Sequence, residues 1–212
     1  MAIKSILFDL DGTLTDSGEG IMKSAVYALA HFGIPEPPEE VMRTFVGPPL
    51  DGSFIRLGVP KEKAAEAIEI YRSRYIPIGL YENRPYAGIP EMLEQLRNDG
   101  HKLYIATSKP EWLAKEVAEY FDLTKYFEKV CGASTDFSRN SKEAVIAHLL
   151  EECGEQKNAI MVGDTAYDVI GAKAHGIPCI GVAWGYGLVE DMEKEGAVAI
   201  AHTVDALYEL LK

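Results

Sequence analysis

The chain reads as an α/β protein: a doubly wound parallel sheet interrupted, after its first strand, by an all-helical insert. Three observations carry that reading. From about residue 86 onward, short apolar runs alternate regularly with helical stretches. Those runs are continuous rather than alternating in polarity, as expected of strands covered on both faces. Between residues 15 and 85 no strand-like run occurs, only helical pieces divided by glycine and proline. The expected division is a core of 1–15 with 86–212 and a helical cap of 16–85, packed above the strand ends.

The elements follow in order. Ile3 to Phe8 is an apolar run and the first strand. Glu19 to Phe32 places Ile21, Ala25, Leu29 and Phe32 on one face at helical spacing, and Gly33 stops it. Pro35, Pro37 and Pro38 form a stiff break, followed by helical pieces at about 39–46, 50–57 and 61–76. After Pro85-Tyr86-Ala87-Gly88 come helix 89–98, strand Lys102 to Ala106, helix 110–120 and a short strand at Lys129 to Cys131. Helix 142–152, strand Ala159 to Val162, helix 166–175 and strand Cys179 to Val182 continue the rhythm. Helix 188–195, a short strand at Val198 to Ile200 and helix 204–211 finish it.

Composition narrows the function. At 212 residues and 47% hydrophobic, the chain has material for a sizeable core. A net charge of -12 argues against nucleic acid as a partner, which would need a basic surface. An anionic substrate would need a metal and local cations. Cys131, Cys153 and Cys179 form no C-x-x-C pair and suit reduced thiols in a cytosol, with Cys179 in the core. The N-terminal apolar run is too short for a signal peptide, and no run approaches the roughly 20 residues of a membrane span. The expectation is a cytoplasmic protein with no membrane partner. Its oligomeric state is left open.

Chemistry is concentrated at the strand ends. In a doubly wound sheet, ligands bind beyond the carboxyl ends of the strands. The first strand delivers Asp9 and Asp11, two residues apart, with Gly12 permitting a turn. Extended geometry would point both carboxylates the same way. Two such charges coexist around a cation or with one protonated, and a hard divalent ion such as Mg²⁺ suits oxygen ligands. The next strand ends in Thr107-Ser108-Lys109, and the fourth in Gly163-Asp164, with Asp168 one helical turn on. Singly, each is a common turn or cap; together they converge. Ser141 is a plausible N-cap, placing Lys142 in a first helical turn where lysine is disfavoured unless an anion compensates.

Asp9-Leu10-Asp11-Gly12-Thr13-Leu14-Thr15-Asp16-Ser17 resembles motif I of the haloacid dehalogenase superfamily. Thr107 resembles its motif II, Lys142 its motif III and Gly163-Asp164-Thr165-Ala166-Tyr167-Asp168 its motif IV. The segments Phe45 to Leu50 and Thr107 to Pro110 resemble the phosphoglycolate-phosphatase-like branch, which also holds 5′-nucleotidases and pyrophosphatases. The resemblance implies a Rossmann-like core with a C1 cap, and Mg²⁺-dependent hydrolysis of a small phosphorylated metabolite through an aspartyl-phosphate.

It also implies roles. Asp9 would be the nucleophile and Asp11 the general acid/base. Mg²⁺ would sit on Asp9, Asp164 and the main-chain carbonyl of Asp11, with Asp168 holding or tuning the site from nearby. Thr107, Ser108 and Lys142 would bind the phosphoryl oxygens. Asp11 argues against the dehalogenase branch, which lacks that second carboxylate. A phosphomutase of the β-phosphoglucomutase type, a pyrophosphatase, and a phosphate-binding module without turnover are the competing readings. Lys109 follows Thr107 closely and could also face the phosphate, but a helix-start or surface residue is the preferred reading. Arg43, Phe45 and Gly47 are the candidates for substrate selection, whereas Tyr71 and Tyr75 are read mainly as packing. Trp184-Gly185-Tyr186-Gly187 is read as a loop, either flexible or at the rim of the site.

Overall fold

A computed structural model describes residues 5–136, 138–154 and 158–212. Strand β1 is Ser5–Phe8; the expected start at Ile3 lies outside the described residues. The described residues fall into two compact units: the chain up to Thr15 with Pro85–Lys212, and Asp16–Arg84.

The second unit is helical throughout. It holds α1 (Gly18–His31), α2 (Glu39–Arg43), α3 (Leu50–Arg56) and α4 (Ala64–Arg74). The single helix expected at 61–76 divides into three parts. A 3-10 turn, Lys61–Lys63, precedes α4, and a π-turn, Tyr75–Gly79, follows it. Pro77 sits in that π-turn, where a ring without an N–H cannot join the α-helical ladder. The wider turn closes instead with the Leu80 amide on the Tyr75 carbonyl, 2.7 Å. Phe45, Phe54, Tyr71 and Tyr75 are all buried and form one aromatic cluster. Phe45 meets Phe54 edge-on at 5.0 Å between centroids, and Tyr71 stacks on Tyr75 at 5.1 Å. The packing role read for the two tyrosines is what they have.

The first unit continues with α5 (Ile89–Asn98), β2 (Lys102–Pro110), α6 (Glu111–Tyr120), β3 (Lys129–Ala133) and α7 (Lys142–Cys153). Then come β4 (Ala159–Gly163), α8 (Ala166–Ala174), β5 (Cys179–Val182), α9 (Val189–Glu195), β6 (Ala199–Ala201) and α10 (Val204–Leu211). Among the described residues six strands pair in parallel, in the order β3-β2-β1-β4-β5-β6. The chain direction across the sheet reverses at β1, so the switch point that opens a ligand crevice lies between β1 and β4.

Both faces of the sheet are dry. Leu7, Tyr104, Cys131, Met161 and Cys179 join Ile146, Leu149, Val169 and Met192 in one buried cluster. Ile6 and Phe8 alternate to the opposite face and are also fully buried. β2 runs farther than the apolar stretch Lys102 to Ala106. Its register with β3 slips between Ala106 and Pro110, so Thr107, Ser108 and Lys109 lie on an irregular, extended segment. Such bulges bend a strand and redirect its side chains. No described helix is long and apolar enough to cross a membrane.

Candidate active site

The site grows from the end of β1. Beyond Phe8 the Asp9 amide still donates to the Val162 carbonyl, 2.9 Å, so the ladder with β4 carries Asp9 one step past the strand. The next residues turn tightly. Thr13 and Leu14 amides return to the Leu10 carbonyl, and Gly12 takes φ +83, a conformation costly for any side chain. The Leu10 amide donates to Asp9 Oδ1 at 2.7 Å, fixing the carboxylate near its own backbone.

Lys142 enters from α7. Ser141 caps that helix, its hydroxyl accepting the Ala144 amide at 3.2 Å, as the sequence suggested. The Lys142 stem passes Gly171, where an added Cβ would lie 2.8 Å from Cγ. Its Nζ lies 2.8 Å from Asp9 Oδ1, 2.8 Å from Asp168 Oδ1 and 3.0 Å from the Ala106 carbonyl. Burial works against that charge, but Asp168 and Asp9 more than reverse the effect and hold the ammonium well above its ordinary range.

Asp168 serves two structures at once. Its Oδ2 accepts the Thr165 amide (3.1 Å) and hydroxyl (3.0 Å), completing a capping box on α8, while Oδ1 faces Lys142. Asp164 is placed differently. Its Oδ1 accepts the Thr13 hydroxyl at 3.2 Å and its Oδ2 the Tyr186 amide at 2.9 Å, both neutral donors. Burial, and then the Asp168 and Asp9 charges, push Asp164 up to about 8. Burial likewise pushes Asp9 up to about 6, against the pull of Lys142.

Asp9, Asp164 and Asp168 each present an oxygen within 4.8 Å of the others. Three carboxylates face one ammonium, leaving two negative charges uncompensated when all are ionised. The donor set is all oxygen, so its chemistry and its charge deficit both fit a hard divalent cation. The carboxylate of Asp11 stands outside this trio and pairs with Lys109.

Thr107 is buried and hydrogen-bonds Asp9 through its hydroxyl. Ser108 is exposed. Lys109 is the correction: it is neither a helix start nor a surface residue, but is 8% exposed, because β2 runs on past its apolar stretch to Pro110. In the helical unit, Arg43 and Gly47 are exposed, whereas Phe45 is 1% exposed among aromatic rings. Its expected role as a substrate-contacting side chain gives way to packing.

The loop after β5 lies against the site, the second of its two expected places. Trp184 Nε1 donates to the Thr13 carbonyl at 3.1 Å, so the loop is anchored to the motif that carries Asp9. A Cβ on Gly185 would lie 2.3 Å from the Asp164 Cβ, and one on Gly187 2.2 Å from the Asp164 carbonyl oxygen. A Cβ on Gly12 would lie 2.2 Å from Asp164 Oδ2. The available signal was position: the loop follows the strand beside β4, and two of its residues have no side chain.

Residues 6–182 match the family described as haloacid dehalogenase-like hydrolase. A 5′-nucleotidase from Pseudomonas aeruginosa is 42% identical over 210 residues, covering 98% of this chain and 95% of that protein. Tyrosine-protein kinase PtkA from Mycobacterium tuberculosis is 42% identical over 209 residues, covering 97% of this chain and 72% of that protein. The crystal structure of a predicted phosphatase from Clostridium acetobutylicum superposes with a TM-score of 0.94 at 41% identity, covering 100% of this chain and 99% of that one. With the carboxylate cluster and the doubly wound core, the chain belongs to the haloacid dehalogenase-like hydrolase family, as a phosphoric monoester hydrolase.

Proposed function

We propose that the protein hydrolyses small soluble phosphomonoesters through an aspartyl-phosphate on Asp9, with nucleoside 5′-monophosphates and phosphoglycolate the first substrates to test. The observation that carries this reading is the state of Asp9. It is a buried carboxylate at the switch point of the sheet, held by Lys142 and Thr107 yet open to one more cation. The 42% identity to a 5′-nucleotidase favours nucleoside monophosphates among the candidates.

Each residue then has a task. An Asp9 carboxylate oxygen attacks phosphorus while the ester oxygen departs. Asp11 gives that oxygen a proton, then takes one from the water that cleaves the Asp9–phosphorus bond. Lys142, Thr107 and Ser108 hold the phosphoryl oxygens. Mg²⁺, held by Asp9, Asp164 and the Asp11 main-chain carbonyl, would supply charge neutralisation where phosphoryl charge builds up. Asp168 keeps Lys142 ionised and aimed at Asp9. The helical unit Asp16–Arg84 is assigned to substrate selection, with Arg43 and the Gly47 turn as its contact candidates.

The test is a phosphate-release screen with and without Mg²⁺ across nucleoside monophosphates, phosphoglycolate, sugar phosphates and pyrophosphate. Mg²⁺-dependent release from nucleoside 5′-monophosphates is expected. A sugar phosphate converted to its isomer without phosphate release would replace the hydrolase reading with a mutase. No turnover of any substrate, with phosphate still bound, would replace it with a binding module.

A further inference from the structure

Among the described residues, Lys109 and Lys142 are the only lysines less than a tenth exposed. Lys142 has its role above. Lys109 Nζ meets both carboxylate oxygens of Asp11, at 3.1 Å and 2.8 Å. The two side chains are 5% and 15% exposed. An ion pair on an open surface is mobile and worth little, whereas one shielded from water is stronger and more directional.

The anchoring on each side is also built. The Lys109 amide donates to Thr107 Oγ1 at 3.3 Å, on the segment where β2 slips register. On the other side, a bridge from Asp11 to Thr15 and the Gly12 amide on the Thr15 carbonyl (2.8 Å) hold the turn that carries Asp11. A carboxylate has two soft torsions, and a donor touching both oxygens restricts both.

We propose that Lys109 is a positioning residue for Asp11: it clamps the carboxylate that moves the proton, and so fixes where that carboxylate stands relative to Asp9. The inference rests on the role given to Asp11 above. That role makes demands twice in each turnover, once toward the departing ester oxygen and once toward water. A displacement of about 1 Å in such a group costs on the order of a hundredfold in rate. Lys109 touches no reacting atom in this account; its effect passes wholly through Asp11.

A double-mutant cycle tests it. Lys109→Met and Lys109→Arg are made in the wild-type and Asp11→Asn backgrounds, and the full chain is assayed with Mg²⁺. Two substrates are compared: β-glycerol phosphate, whose leaving alcohol needs a proton, and 2,4-dinitrophenyl phosphate, whose phenolate leaves without one. Lys109→Met is expected to lower kcat on β-glycerol phosphate by about 10–100-fold, the scale of a misaligned proton donor, with KM changed less than about threefold. The burst rate of dinitrophenolate should suffer at least about tenfold less. Lys109→Arg, which keeps two-point donation, should recover most of the loss, and in the Asp11→Asn background Lys109→Met should add less than about twofold.

Equal losses on both esters, or an undiminished effect in the Asp11→Asn background, would overturn the proposal and make Lys109 a direct ligand of substrate. The failure of the underlying reading looks different, since Asp11→Asn alone would then show no bias between the two esters. Circular dichroism checks folding of each variant. If Lys109→Met does not fold, Lys109→Gln carries the comparison, and a Gln variant with wild-type leaving-group bias overturns the proposal equally.

Discussion

Asp164→Asn should make the metal-free protein more stable, and the gain should grow with pH. Asp164 is 1% exposed and its carboxyl is pushed from 3.8 up to about 8. At about 1.4 kcal/mol per pH unit, its ionised form is disfavoured in the fold by on the order of 5 kcal/mol. A raised carboxyl pKa means that the folded state binds the proton more tightly than the unfolded one. Its contribution to stability therefore falls as pH rises from about 4 to about 8, the window between the two values. Asparagine removes that penalty. It keeps one acceptor, so one of the two bonds from the Thr13 hydroxyl and the Tyr186 amide is lost, at about 1 kcal/mol. The net expectation is a gain of roughly 3–4 kcal/mol at pH 8, or about 6–15 °C in Tm for a chain of this length. The gain should shrink toward zero near pH 5, where Asp164 is protonated and the lost hydrogen bond dominates. Calorimetry in EDTA at pH 5, 6, 7 and 8 measures it. Adding Mg²⁺ should reverse the order, because only the wild-type protein gains stability by binding the ion. A variant less stable than wild type at pH 8, or a difference that does not move with pH, would refute the reasoning.

Three further outcomes are expected. Asp9→Asn should retain less than a few per cent of turnover with an unchanged circular dichroism spectrum, since an amide of equal volume is a poor nucleophile. Dialysis into EDTA should abolish activity, Mg²⁺ should restore it and Ca²⁺ should inhibit, because Ca²⁺ engages both oxygens of a carboxylate and would occupy the attacking one. Phe45→Ala should destabilise the helical unit by about 3–5 kcal/mol, through loss of the aromatic cluster, and lower activity on every substrate alike. Arg43→Ala, at an exposed position, should leave unfolding within about 0.5 kcal/mol and change the ranking among substrates instead.

The sequence carried the sheet because each strand is a continuous apolar run that ends abruptly in polar residues. Asp9, Thr107 and Asp164 could be read as one site on that basis, and Lys142 from its unusual place at a helix start. What stayed hidden depended on geometry that no local pattern encodes. Lys109 is buried because β2 runs on past its apolar stretch to Pro110, putting Lys109 and Thr107 on the side away from exposed Ser108. Phe45 stands in a glycine- and proline-rich stretch that reads as a projecting loop. Its ring is claimed by Phe54 and Tyr71, residues of two other helices. The expected helix 61–76 stopped just short of Pro77, whereas the chain carries on past Arg74 as a π-turn that takes the proline in. The loop of Trp184 to Gly187 lies some twenty residues beyond the carboxylate that it encloses.

The strand order also has a consequence for the newborn chain. β1 lies in the middle of the sheet, yet its partners are β2, from Lys102, and β4, from Ala159. The apolar run Ser5–Phe8 therefore leaves the ribosome about 150 residues before β4 is complete, which at about 5–20 residues per second is roughly 8–30 s. Until β2 emerges those buried residues have no strand to pair with, and the edge that β4 will cover stays open to the end of the interval. The helical segment Asp16–Arg84 is synthesised in the meantime, and as a compact unit of its own it is expected to fold while β1 waits. Translation slowed after residue 84, or a chaperone released too early, should thus produce aggregation rather than a partly active enzyme. The carboxylate that anchors the chemistry is made early, but Lys142, Asp164 and Asp168 reach it only after well over a hundred further residues.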